Sequence, residues 1–136
     1  MEFPRELATI DGARELFDWF GYWPSFHDAE IVRLDLRRRE PSTLVVATWE
    51  MTKETDARGY FVLAKHVVVT FVLDEVANLE LSGFSHQNVV FGIDVEIEDG
   101  KFRLSISPSY GLAGTITADR LSIQLSPGSP ADKSSK

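Results

Sequence analysis

The sequence predicts an α+β fold that is mostly β: one short N-terminal helix packed on a curled antiparallel sheet or sandwich of about seven strands. Three observations predict it. Apolar residues recur at spacings of three and four only over residues 9–20. From residue 29 the pattern changes to period two and keeps it to residue 125. The connections between period-two segments are short, which favours pairing of neighbours in antiparallel fashion.

The helix is read over residues 9–20, TIDGARELFDWF, with Ile10, Ala13, Phe17 and Phe20 on one face. Thr9 or Asp11 can cap its start with a side-chain oxygen. Gly21 can close its end in a left-handed conformation, and Pro24 prevents continuation. The first strand is expected at 29–38, with Val32, Leu34 and Leu36 facing the core and Arg33, Asp35 and Arg37 facing water. Glu40-Pro-Ser-Thr43 marks a turn. A second strand follows at 44–52, then a polar loop, KETDARGY. Strands are expected at 65–74, with Val67, Val69, Phe71 and Leu73 inward, and at 76–82, with Ala77, Leu79 and Leu81 on one face. After the loop GFSHQN, residues 89–97 alternate, placing Val89, Phe91, Ile93, Val95 and Ile97 against Asp94, Glu96 and Glu98. Asp99-Gly100 is a strong two-residue hairpin turn. Residues 101–107 place Phe102, Leu104 and Ile106 inward. The last strand, 112–125, changes parity near Asp119, and a bulge or bend there accounts for the slip.

The chain of 136 residues suits one domain, expected over 1–126, followed by a polar, Pro/Ser-rich tail at 127–136 expected to be disordered. There is no cysteine, so disulfides, thiolate metal sites and a cysteine nucleophile are excluded. No apolar run approaches the ~18–20 residues of a membrane span, and the N-terminus has no signal-peptide pattern; a cytoplasmic location is expected. The net charge of −7 is uneven. Residues 1–39 carry six Lys/Arg and eight Asp/Glu, residues 40–99 three and eleven, and residues 100–136 five and two. The acidic middle repels phosphate backbones, so nucleic acid is not an expected partner. It suits a basic protein partner, although acidity is also an ordinary route to solubility.

One stretch concentrates chemistry: WPSFHDAEI, Trp23–Ile31. A shared metal needs side chains pointing the same way, which a strand grants to Asp28 and Glu30 and a helical turn to His27 and Glu30. No His-Glu-x-x-His spacing is present, and a third ligand has to come from the distant His66 or His86. Ser25, His27 and Asp28 are the residue types of a hydrolytic triad but sit too close in sequence to converge. Glu30 shares the parity of Val32 and Leu34, so it is placed at the mouth of the core, where a carboxyl with a raised pKa could act with Asp28 as an acid–base pair. The structural reading leads: Trp23 and Phe26 cover a helix-to-strand junction, Pro24 fixes the chain direction, and His27 and Asp28 bond the loop backbone or each other. No metal, cofactor or catalytic residue is assigned.

Trp19, Trp23 and Trp49 are read mainly as core, with a small-molecule-binding β domain and an aromatic-lined pocket as the alternative. A minor enzyme using Asp28 and Glu30 is the third reading. Gly111 and Gly114 precede no helix and form no phosphate cradle.

The helix, then Trp23, Pro24, Ser25, Phe26, His27, Asp28 and Glu30, the alternating strand after them, and a late Tyr110-Gly-Leu-x-Gly114 before the final strand together resemble the immunity-protein-50 family. These are small bacterial proteins held to neutralise toxins of polymorphic and contact-dependent systems. The resemblance covers most of residues 10–125 and carries no catalytic signature. It implies a cytoplasmic, cofactor-free binding protein that occludes a cognate toxin. The acidic segments supply the expected contacts to a basic toxin: Glu50, Glu54, Asp56, Asp94, Glu96 and Glu98.

Overall fold

The computed structural model describes residues 2–128; the expected tail lies, from residue 129, outside the described residues. After a 3-10 turn at Arg5–Leu7, the chain forms α1 (Ala13–Phe20), β1 (Glu30–Asp35), β2 (Ser42–Thr55), β3 (Phe61–Ser82), β4 (Val89–Glu98), β5 (Lys101–Tyr110) and β6 (Ala113–Pro127). The sheet is wholly antiparallel and closes on itself in the order β1-β2-β3-β6-β5-β4.

Among the described residues there are six strands rather than about seven, because the expected strands at 65–74 and 76–82 are one. β3 runs through Glu75 by taking a left-handed φ of 58° there and a register shift between Val76 and Asn78. This places the irregularity expected near Asp119 on the partner strand. β6 itself changes buried face, from Ile116 and Ala118 to Leu121 and Ile123, across Asp119 as expected, between the ladder pairs Val76–Ala118 and Asp74–Arg120. The loop after β2 is shorter than expected, since Lys53–Thr55 belong to the strand. The Asp99-Gly100 turn has φ of 54° and 76°, the mirror-image turn that matches strand twist.

The core is the barrel interior. Leu44 and Val46 of β2, Val67, Val69, Phe71 and Leu73 of β3, Leu104 of β5 and Ile116 of β6 are fully buried there. The expected helix face, Ile10, Ala13, Phe17 and Phe20, is buried with Leu16. Fully burying a side chain such as Leu16 is worth about 1.5–3 kcal/mol. The helix starts later than the periodicity predicts. Neither Thr9 nor Asp11 caps it; its N-cap is Gly12, with φ 90°. Asp11 is used otherwise: its carbonyl accepts the Ile123 amide at 2.7 Å, and a parallel bridge to Ser122 docks the chain on β6.

Two strands depart from simple alternation. In β1 the register shifts between Ile31 and Arg33, making Val32 a bulge residue. Ile31 is buried, whereas Val32 and Leu36 are exposed, so the expected inward set of Val32, Leu34 and Leu36 is corrected to Ile31 and the partly buried Leu34. The same shift leaves Glu30 exposed instead of at the mouth of the core. In β4, register shifts between Val89 and Val90 and between Val90 and Gly92 put Val90 and Ile93 inside and turn Phe91 out to solvent. In β3, Ala77 and Leu79 are likewise exposed.

Candidate functional site

The stretch Trp23–Ile31 closes the barrel. β1 and β4 share one ladder pair, Glu30 with Val89. The rest of the seam is made by the loop before β1. The Asp28 amide donates to the Val90 carbonyl at 2.9 Å, Val90 returns the bond to Ala29 at 2.9 Å, and the Ile93 amide donates to Ser25 at 3.2 Å. The Ile31 amide reaches Asn88 at 2.8 Å.

Local conformation sets the side chains. Phe26 and Asp28 both have left-handed φ, 67° and 69°. The Ala29 amide bonds the Phe26 carbonyl at 3.0 Å, closing a tight turn in which Asp28 takes the position that tolerates φ above zero. Phe26 is thereby sent inward against Phe71, with ring centroids 5.6 Å apart. A bulky residue pays strain for that conformation, and the ring's burial offsets it. Pro24 is buried and Trp23 packs at the core's edge.

His27 lies across the seam. Its Nδ1 is 3.2 Å from the Phe91 carbonyl, its ring meets the Phe91 ring edge-on at 5.1 Å, and its Nε2 is 3.6 Å from Asp28 Oδ1. Ser25 Oγ accepts the His27 backbone amide at 3.3 Å, a turn contact and not a nucleophile–base pair. His66 packs instead on Trp49, with centroids 6.0 Å apart, and His86 lies in the 83–88 loop. Among the described residues no three His, Asp or Glu side chains are grouped so as to hold a metal.

Beside this segment is an open cleft of about 250 Å³, lined among others by Tyr22, His27, Asp28, Trp49 and Glu50. The Tyr22 hydroxyl donates to Glu50 Oε2 at 3.1 Å, and Lys65 Nζ stands 3.5 Å from Glu50 Oε1. Burial, with the Glu50 hydrogen bond and charge, raises the Tyr22 pKa above its ordinary value. Trp49 lines the cleft, Trp19 donates its ring N–H to the Lys65 carbonyl at 2.9 Å, and Trp23 belongs to the core's edge. A second open cleft, of about 350 Å³, lies at Asp74, Arg120 and Ser122.

The acidic candidates fall into two groups, one on each side of the barrel-closing segment. Glu50 and Glu54 lie on β2 and Asp56 just after it. Glu54 is exposed, and Asp56 Oδ1 accepts the Arg58 and Tyr60 amides at 2.9 and 3.1 Å, which shapes the turn. Asp94, Glu96 and Glu98 are all exposed on β4. Arg103 reaches Glu96 at 3.4 Å and Glu98 at 2.6 Å. The sequence pattern missed four exposed aromatics, Tyr60, Phe84, Phe91 and Tyr110. Phe91 was hidden by core parity that the β4 bulges break; Phe84 was visible as a lone large apolar residue in a polar loop.

No helix among the described residues is long and apolar enough to cross a membrane. No curated protein and no solved structure matches the chain. The family model of Immunity protein 50 matches residues 12–127, from the N-cap of α1 to the last residue of β6. The barrel-closing segment and the whole sheet lie within that match, and the chain belongs to the Immunity protein 50 family.

Proposed function

We propose that this chain neutralises a cognate bacterial toxin in the cytoplasm by binding and occluding it, without catalysis and without a cofactor. Family membership carries the reading. The geometry supports it in two ways. The barrel interior is filled by side chains, and the clefts beside it are open at the surface, which suits a partner's surface better than an enclosed small molecule. The Ser25–His27–Asp28 stretch is engaged in turn and seam contacts, which favours a conformational role for it.

The toxin is basic in this reading. Glu54, Asp94, Glu96 and Glu98 present carboxylates at the surface, and Glu50 and Asp56, partly engaged within the fold, add to the same field. Such a field speeds encounter and sets orientation more than it sets affinity. The test is binding to the toxin domain encoded beside this chain, comparing wild type with the triple reversal Asp94→Lys, Glu96→Lys, Glu98→Lys. Tight, salt-sensitive binding by wild type and a loss on the order of 100-fold in the variant are expected at low salt. Wild type that fails to bind removes the proposal; an unchanged variant removes the acidic contacts from it.

A further inference from the structure

We infer that the centre of the toxin-binding surface is the exposed aromatic group Phe84, Phe91 and Tyr110, flanked by the acidic residues of β4; this rests on the proposed function and specifies where it acts. These rings are among the most exposed large apolar side chains of the protein, at 60%, 62% and 55%. Exposed aromatics gathered on one part of a surface mark interaction sites, and Tyr and Trp anchors dominate interface energetics.

Three contacts hold their backbones together. Tyr110 is the ladder partner of Val89, two residues before Phe91. The residue before Phe84, Gly83, approaches Gly111 so closely that a Cβ built on it meets the Gly111 carbonyl oxygen at 2.6 Å. Buried Asn88 ties the two loops, its Oδ1 accepting the Ser85 and Leu112 amides, each at 3.0 Å, and its Nδ2 donating to the Ser85 carbonyl at 2.8 Å. The anchors are therefore carried on a backbone fixed before the partner arrives, which lowers the ordering cost of binding.

Charge selects the partner. From residue 66 to residue 100 the chain has seven Asp/Glu and no Lys/Arg, and residues 104–118 carry no charged side chain. Asp94, Glu96 and Glu98 continue from Phe91 along β4. Arg103 offsets part of the charge of Glu96 and Glu98, and the carboxylates remain in excess, so the surface offers an apolar aromatic centre flanked by net negative charge, complementary to a basic protein surface with an apolar recess.

The experiment measures dissociation of the catalytically inactivated toxin domain encoded beside this chain from wild type and from Phe91→Ala, Tyr110→Ala and Phe84→Ala. Leu36→Ala, an exposed apolar residue beyond the opposite end of β1, is the control. Thermal melts verify that each variant folds as wild type does. At least about tenfold weaker binding for Phe91→Ala and Tyr110→Ala, expressed in the off-rate, with Leu36→Ala within about threefold, is the expected result. Wild-type binding with all three aromatic variants unchanged overturns the inference and leaves the proposed function standing. Absence of wild-type binding overturns both.

Discussion

The side-chain oxygen of Asn88 accepts the backbone amide of Leu112 at 3.0 Å, joining the loop before β4 to the turn between β5 and β6. Asn88 is 4% exposed and Leu112 1%, so the bond is made out of water. Removing the carboxamide leaves buried donors without partners. Asn88→Ala is expected to cost about 2–3 kcal/mol, read as a lower urea midpoint at unchanged slope. A change below about 0.5 kcal/mol contradicts this role.

Asp28 tests whether the acid in the barrel-closing segment serves conformation or chemistry. Its φ of 69° suits Gly and Asp and is costly for β-branched residues. Asp28→Gly is expected to keep both stability and toxin protection, whereas Asp28→Val loses about 1–3 kcal/mol. Loss of protection in a fully folded Asp28→Gly variant assigns the carboxylate a direct role.

The Tyr22–Glu50 pair gives a pH signature. The folded protein holds the Tyr22 proton to higher pH than the unfolded chain, whose ordinary value is 10.0. The stabilisation is complete below that value and is lost as pH rises through the folded pKa. Urea midpoints from pH 8 to 11 are expected to fall more steeply for wild type than for Tyr22→Phe, and parallel profiles refute the assignment. At the acid end, Arg37 lowers the Asp35 pKa and Lys101 the Asp119 pKa. Their support is present above the ordinary carboxylate range and is lost as pH falls through the folded values.

Gly12 is where the helix meets β6. A Cβ built there stands 1.8 Å from the Ile123 carbonyl oxygen, and φ is 90°. Because that oxygen is backbone, no side-chain rotation relieves the clash. Gly12→Ala is expected to lose at least about 2 kcal/mol. Gly21→Ala, with φ 83° but no atom within 4 Å, is expected to lose less, about 1 kcal/mol. Equal losses at the two sites point to φ alone as the cause.

Fold class was legible because two periodicities are clean: the buried helix face through Phe17 and Phe20, and the β-branched run through Val67, Val69, Phe71 and Leu73. Closure of the barrel was not, since it depends on a loop, Ser25–Asp28, standing in for a strand against β4. The errors at Val32, Glu30 and Phe91 share one cause. A bulge reverses the facing of the residues before it relative to those after it, and no residue type in β1 or β4 announces it. The acidic residues were legible as a composition, but their arrangement in two groups on either side of the barrel-closing segment was not. The same segment read as a chemical cluster because its Ser, His and Asp are types shared by turns and catalytic sites.

Titrating the purified toxin's activity with this chain tests the central claim, occlusion by binding, most directly. The account predicts inhibition that is complete at one chain per toxin and that reverses, with active toxin recovered, when the two are separated in denaturant and the toxin is refolded. Inhibition by far less than one chain per toxin, or toxin left permanently altered after separation, contradicts occlusion and identifies a catalytic mechanism.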